Sequence, residues 1–150
     1  MALFNGIDIS ASGLTAQRLR MDLISNNIAN ANTTRTEDGG PYRKKMPVFA
    51  SRLQEEMDNI SNSELNNISN NDENLGNGVK VSRIKESSQP PKLVYKPNHP
   101  DADENGYVEM PNINVVSEMT NMMSASRAYQ ANVTAVNTSK EMVKSALQIG

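Results

Sequence analysis

Asp101-Ala-Asp-Glu-Asn-Gly106 is the stretch whose residue types and spacing best suggest a metal ion. Oxygen-bearing side chains stand at 101, 103 and 105, glycine takes the sixth place and apolar Val108 the eighth, as in the opening of a calcium loop. The twelfth place should hold a bidentate Glu but holds Asn112. The preceding Lys96-Pro-Asn-His-Pro100 cannot form the entering helix, because its prolines interrupt it. A polar turn explains the same residues. His99 is the single histidine and has no serine or cysteine partner in any motif, so it reads as a turn or surface residue. Arg43-Lys44-Lys45 has the charge to hold a phosphate or an acidic surface; a solvated charge run is the simpler reading. No glycine-rich phosphate loop occurs. The sequons Asn59-Ile-Ser61 and Asn132-Val-Thr134 are expected by chance among 20 Asn. Without Cys there is no disulfide, no thiolate nucleophile and no Cys-ligated zinc. The expectation is a chain that is not an enzyme and needs no cofactor or metal.

The elements that carry these residues are unevenly built. At 150 residues the chain suits one domain, yet only 37% is hydrophobic, with no Trp, two Phe and four Tyr. Such a core is small or is completed by another chain. The net charge of −2 gives no field that favours nucleic acid. Along the chain, 39–52 carries +4 (Arg43, Lys44, Lys45, Arg52) and 53–77 carries −6 (Glu55, Glu56, Asp58, Glu64, Asp72, Glu73). Residues 79–100 return to +4 and 101–110 to −4. No run approaches the ~20 apolar residues of a membrane span. The N-terminus shows no cleavable secretory signal.

Both ends show helical periodicity. Ile7, Leu14, Met21 and Ile28 recur every seven residues, with Ala11, Ile24 and Ala31 between them. Gly13 weakens that helix by roughly 1 kcal/mol against Ala and admits a close neighbour. Thr33, Thr34 and Gly39-Gly40-Pro41 stop it. At the other end, Pro111-Asn-Ile-Asn114 supplies a turn and a capping side chain, and Glu118 lies where the helix dipole favours an anion. The seam then runs Val115, Met119, Met122, Ser126, Tyr129, Val133, Val136, Lys140, Val143, Leu147. A helix over 115–149 is roughly 50 Å long. One apolar stripe offsets little of the entropy of ordering so long a helix, which points to helices that firm up against other copies. A two-helix hairpin inside a monomer is the plainer alternative. The seam's Met and small residues suit a surface that fits non-identical neighbours, although any single Met reads equally well as core.

The middle reads as short strands: an extended stretch over 42–50 with Pro47 marking an edge, alternation over 78–85, Lys92–Lys96, and Tyr107-Val108. Residues 53–77, rich in Asn, Ser and Glu, read as a solvated flexible insert. The expected fold is mainly α with a small β portion: an N-terminal helix region 1–34, a middle region 35–110, and a C-terminal helix region 111–150.

Ile9-Ser-Ala-Ser-Gly-Leu-Thr-Ala-Gln-Arg18 with Ser25-Asn-Asn-Ile-Ala-Asn-Ala-Asn-Thr33 resembles the N-terminal motif of flagellar rod and hook proteins. Glu118-Met-Thr-Asn-Met-Met-Ser-Ala-Ser-Arg-Ala-Tyr-Gln-Ala-Asn132 resembles their C-terminal motif, and Leu93 to Asn112 resembles the linker of a proximal rod member. The likeness covers about 1–50 and 78–150; 53–77 matches no pattern. It implies a non-enzymatic building block of the bacterial flagellar basal body, transmitting motor torque, with both terminal helices pairing as an α-helical coiled coil in the inner tube of the rod. It implies export, unfolded and without a cleaved signal, through the flagellar type III apparatus to the periplasm. The implied partners are other rod proteins (FlgB, FlgF, FlgG), the rod-base protein FliE and further copies of this chain, with no nucleic acid and no membrane insertion. Asn26, Asn27, Asn30, Asn32 and Thr33 would lie in assembly contacts, as would Arg127, Tyr129 and Asn132 on the other helix, beside the seam residues Ile7, Leu14, Met21, Ile28, Met119, Met122, Val133, Val136, Val143 and Leu147. Capping of a helix end by the Asn cluster, and Tyr129 as ordinary core, stay open. Two rival readings are a soluble coiled-coil adaptor or chaperone and a calcium-binding module over 101–112.

Overall fold

Asn114 starts the longest element. Its Oδ1 accepts from the backbone N–H groups of Val116 at 3.0 Å and Ser117 at 3.2 Å, two of the donors that a helix start leaves unpaired. With no Gly or Pro to interrupt it, the helix then runs over 35 residues, Val115–Ile149. The computed structural model describes residues 2–37, 39–52 and 78–149. In chain order these form α1 (Ala2–Ala29), β1 (Lys45–Ser51), β2 (Val79–Glu86), β3 (Lys92–Tyr95), β4 (Tyr107–Met110) and α2 (Val115–Ile149). Mainly helical with a small antiparallel β part, this is the expected class. The expected insert at 53–77 lies outside the described residues.

The strands form two ribbons of two strands each, β1 with β2 and β3 with β4. Pro47 is tolerated in β1 because a two-stranded ribbon leaves each strand one free edge. The β3–β4 ladder is antiparallel, with Lys92 opposite Met110, Leu93 opposite Glu109, Val94 opposite Val108 and Tyr95 opposite Tyr107.

The chain folds into two compact units, and both helices and the β1–β2 ribbon contribute to each. The first unit holds Met1–Arg18, Val48–Arg83 and Ser126–Gly150. Ser12 and Ala16 are buried here. The Ser12 hydroxyl donates to Ile9 O at 2.6 Å and accepts from Val79 N at 3.0 Å, fixing the start of β2 on α1. Gly78 is held at φ +86°, and a Cβ there would strike Ser12 Oγ. Arg52 N donates to Gly78 O at 3.2 Å and closes that end of the ribbon. Gly13 admits a close neighbour, as expected, but the neighbour is a side chain: the Asn132 amide lies 3.0 Å from where a Cβ would stand.

The second unit holds Leu19–Pro47 and Ile84–Ala125. Its core is Leu23, Ile24, Ala31, Val108 and Ala125, together with buried Asn27 and Glu118. Ser87 N donates to Lys44 O at 2.8 Å beside the second end of the ribbon.

The covered stripe of α2 differs from the expected seam. It passes through Glu118, Met122 and Ala125 in the second unit and Tyr129, Asn132, Val136, Ser139 and Val143 in the first. Of the expected seam, Met122, Ser126, Tyr129, Val133, Val136 and Val143 are half-buried. Val115, Met119, Lys140 and Leu147 face solvent instead. Small Ala125 allows closer packing than Ser126, and bonded partners draw Glu118 inside, so apolar periodicity chose the neighbouring ridge. On α1 the covered line is Ser12, Ala16, Leu23, Ile24 and Asn27, with Ala31 buried just past its end, whereas Ile7, Leu14, Met21 and Ile28 are half-buried.

Candidate assembly interface

The Asn-rich segment at the end of α1 divides into two roles. Asn30 Nδ2 donates to Asn26 O at 2.9 Å and to Asn26 Oδ1 at 2.7 Å, and Thr33 Oγ1 donates to Asn30 Oδ1 at 3.2 Å. Ala31 N bonds Ile28 O at 3.2 Å, tightening the last turn. Asn26, Asn30 and Thr33 therefore cap the helix end. Asn32 is exposed.

Asn27 turns the other way and is 1% exposed. Its Oδ1 accepts from Lys45 N at 2.9 Å and from the Tyr42 hydroxyl at 3.1 Å. Its Nδ2 donates to Lys45 O at 2.9 Å and to Glu118 Oε2 at 3.1 Å. Both donors and both lone pairs of the amide are used. Pairing with the N–H and C=O of one residue mimics a strand partner, so the side chain docks the start of β1 onto α1. Glu118, also 1% exposed, meets Lys44 Nζ through Oε1 at 2.6 Å, an ion pair rather than an aligned hydrogen bond. Burial, and then the negative charge of Glu86, push the Tyr42 phenol above its ordinary value of 10.0. The sequence reading of residues 43–45 as a solvated run is thus corrected. Arg43 is exposed, Lys44 reaches a buried carboxylate, and Lys45 Nζ stands 3.8 Å from Glu86.

The 101–106 segment is the loop of the β3–β4 hairpin. Asp103 Oδ1 accepts from Asn105 N at 3.0 Å and Tyr107 N at 2.8 Å. Asp101 Oδ2 accepts from Thr34 Oγ1 at 2.8 Å, and His99 Nδ1 accepts from Asp101 N at 3.1 Å. Asp103 thus serves its own turn and Asp101 ties the loop to Thr34, and the glycine at the sixth place serves a φ of +78°. The polar-turn reading of 101–106 and the turn reading of His99 describe what is observed.

On α2, Arg127 is exposed and Tyr129, Val133, Val136 and Val143 are half-buried. Asn132 donates from Nδ2 to Ala128 O at 3.0 Å while lying against Gly13. Among the described residues, six large apolar side chains of α2 remain in solvent: Val115, Val116 (73% exposed), Met119, Met123, Met142 and Leu147 (78%). Val116, Met119 and Met123 are spaced by three and four and share one face.

Sequence reasoning missed the Glu118–Lys44–Asn27–Tyr42 node. One signal was available: Glu118 sits three and four residues before Asn121 and Met122, on the covered side of the helix.

A family model described as "Flagella basal body rod protein" matches residues 7–35, and one described as "Flagellar basal body rod FlgEFG protein C-terminal" matches 104–149. The flagellar basal-body rod protein FlgC of Borreliella burgdorferi is 48% identical, covering 99% of this chain and 98% of that protein. FlgC of Bacillus subtilis is 45% identical and FlgC of Salmonella typhimurium 44%, each over 100% of this chain and 99% of the relative. Full-length similarity at this level, with rod-protein models matching at both helical ends, places the chain in the FlgC family of flagellar basal-body rod proteins.

Proposed function

We propose that this chain is a non-catalytic structural subunit of the flagellar basal-body rod, and that α2 acts by packing its uncovered face against axial helices of neighbouring subunits. The observation that carries this reading is the exposed row Val116, Met119 and Met123; Met142 and Leu147, farther along α2 and on other faces, are exposed as well. Water leaves such side chains at a cost that burial between subunits recovers, at about 25 cal/mol per Å² of apolar surface. Met suits a face that meets neighbours of differing shape. Within each unit α1 and α2 already touch, at Gly13–Asn132 in the first and Asn27–Glu118 in the second, which supports their pairing as a coiled coil. The assembled helices would line the rod tube and pass torque along it, alongside FlgB, FlgF, FlgG, FliE and further copies of this chain. Arrival in the periplasm through the flagellar type III apparatus is part of the same proposal. Among the described residues, no helix is long and apolar enough to cross a membrane.

Met119→Asp and Met123→Asp test this. Both side chains are exposed, so the isolated chain should keep its circular dichroism and be exported normally. It should be absent from purified basal bodies, and the cells should not swim. Normal rods in both variants would contradict the reading.

A further inference from the structure

The chain has no Cys, so its nine Met hold all of its sulfur, the element that mild oxidants attack first. The fold sorts these methionines. Met21, Met110 and Met122 are half-buried, whereas Met119 and Met123 are each 56% exposed. Met122 and Met123 are consecutive, yet a helix turns them about 100° apart, so one is shielded and the other wet. Met119 and Met123 stand four residues apart on one face, beside exposed Val116. Met46 and Met142 are exposed too, but stand outside this row. From Val115 to Ser126 the one charged residue is Glu118, and it is buried against Lys44 and Asn27. The two thioethers therefore lie on a stretch of helix that shows no charge of its own to water.

We propose that Met119 and Met123 are reversible oxidation sites that hold the unassembled chain out of the rod. The oxidant is hypochlorous acid, and a methionine sulfoxide reductase restores the pair. The sulfur lone pair takes chlorine from the acid, the Cl–O bond breaks and hydroxide leaves. Water adds to the chlorosulfonium sulfur, and chloride and two protons depart, one of them neutralising the hydroxide. Sulfur has then lost two electrons to chlorine and gained one oxygen. In the return step two reductase thiols become a disulfide, supplying two electrons and two protons, and the oxygen leaves as water. Oxidation turns a flexible apolar side chain into a polar, chiral one. Burying it between subunits strips water from an oxygen that the apolar contact does not replace. The effect on assembly rests on the reading of this face as a subunit contact; the order in which the sulfurs react does not.

Limiting hypochlorous acid added to the purified full chain, followed by peptide mass spectrometry, reads the sites. Met119 and Met123 should become sulfoxides ahead of Met122, Met110 and Met21. Cells building basal bodies then receive a sublethal dose, and new basal bodies are counted against an untreated culture of the same cells. With the wild-type chain the count should fall about tenfold, the loss expected when a contact buries a polar group unpaired. With Met119→Leu and Met123→Leu combined, which keeps apolar side chains but no sulfur there, treatment should leave the count unchanged. Each culture is its own reference, so any effect of leucine on assembly divides out. Met119→Gln with Met123→Gln sets a permanent uncharged polar group at both places, and should lower the count about tenfold without oxidant. Should the leucine chain build no rods, the glutamine chain decides. Met122 or Met21 reacting ahead of the pair, equal losses in wild-type and leucine cells, or normal counts with the glutamine chain would each overturn the proposal. Exclusion of Met119→Asp and Met123→Asp alongside normal entry of the glutamine chain would sink the switch and spare the subunit contact. Entry of both aspartate variants would sink the contact, and the switch with it.

Discussion

Asn27 shows how much one amide can fix. Its oxygen needs the Lys45 N–H and its nitrogen needs the Lys45 carbonyl and Glu118, so no other side chain of that size serves. Asn27→Asp would set a carboxylate against the Lys45 carbonyl and Glu118, and should destabilise the chain by about 3–5 kcal/mol, as other uncompensated buried charges do. Urea unfolding monitored by circular dichroism measures it; a loss below about 1 kcal/mol would show that the node is not structural. Tyr42 adds a pH signature. Its phenol titrates above 10.0 in the folded chain because of burial and then Glu86, so the fold holds the proton more tightly than the unfolded chain does. That contribution is full below pH 10 and is lost as pH rises through the folded value. Stability measured between about pH 9 and 11 should fall more steeply in the wild type than in Tyr42→Phe, which lacks the ionising group. Equal slopes would contradict this assignment.

At the scale of elements, the helices and strands were legible because each follows local rules. Asn114 announced α2, and Val79, Lys92 and Tyr107 each began a strand where alternation or an apolar pair suggested one. Which ridge of each helix is covered was not legible. Periodicity ranks Met119 above Glu118, and the partners Asn27 and Lys44, brought in by the chain's return, reverse that order. The capping role of Asn26 and Asn30 was one of two open readings; the inward turn of Asn27 needs β1 in place. Two substitutions test the local devices. Asn114→Ala should cost about 1 kcal/mol by removing the cap. Gly78→Ala combines a positive φ with a clash on Ser12 and should cost about 1–3 kcal/mol. Thermal melts of both variants read these values, and a Gly78→Ala chain as stable as the wild type would remove Gly78 as the fixed start of β2.

For the whole molecule, the central point is that the 35-residue α2 keeps Val116, Met119, Met123, Met142 and Leu147 in water, although its sequence is that of a helix made to pack. The family shows where such a chain works, and the uncovered face suggests how it is held there. Methionine oxidation reads that face directly, because sulfoxide formation tracks solvent access. Hydroxyl-radical footprinting with mass spectrometry compares Met119 and Met123 in the free chain and in purified basal bodies. Rapid oxidation of both in the free chain and strong protection in the basal body is the predicted result. Equal oxidation in the two states would mean that the exposed face of α2 stays wet in the rod, and would contradict the account.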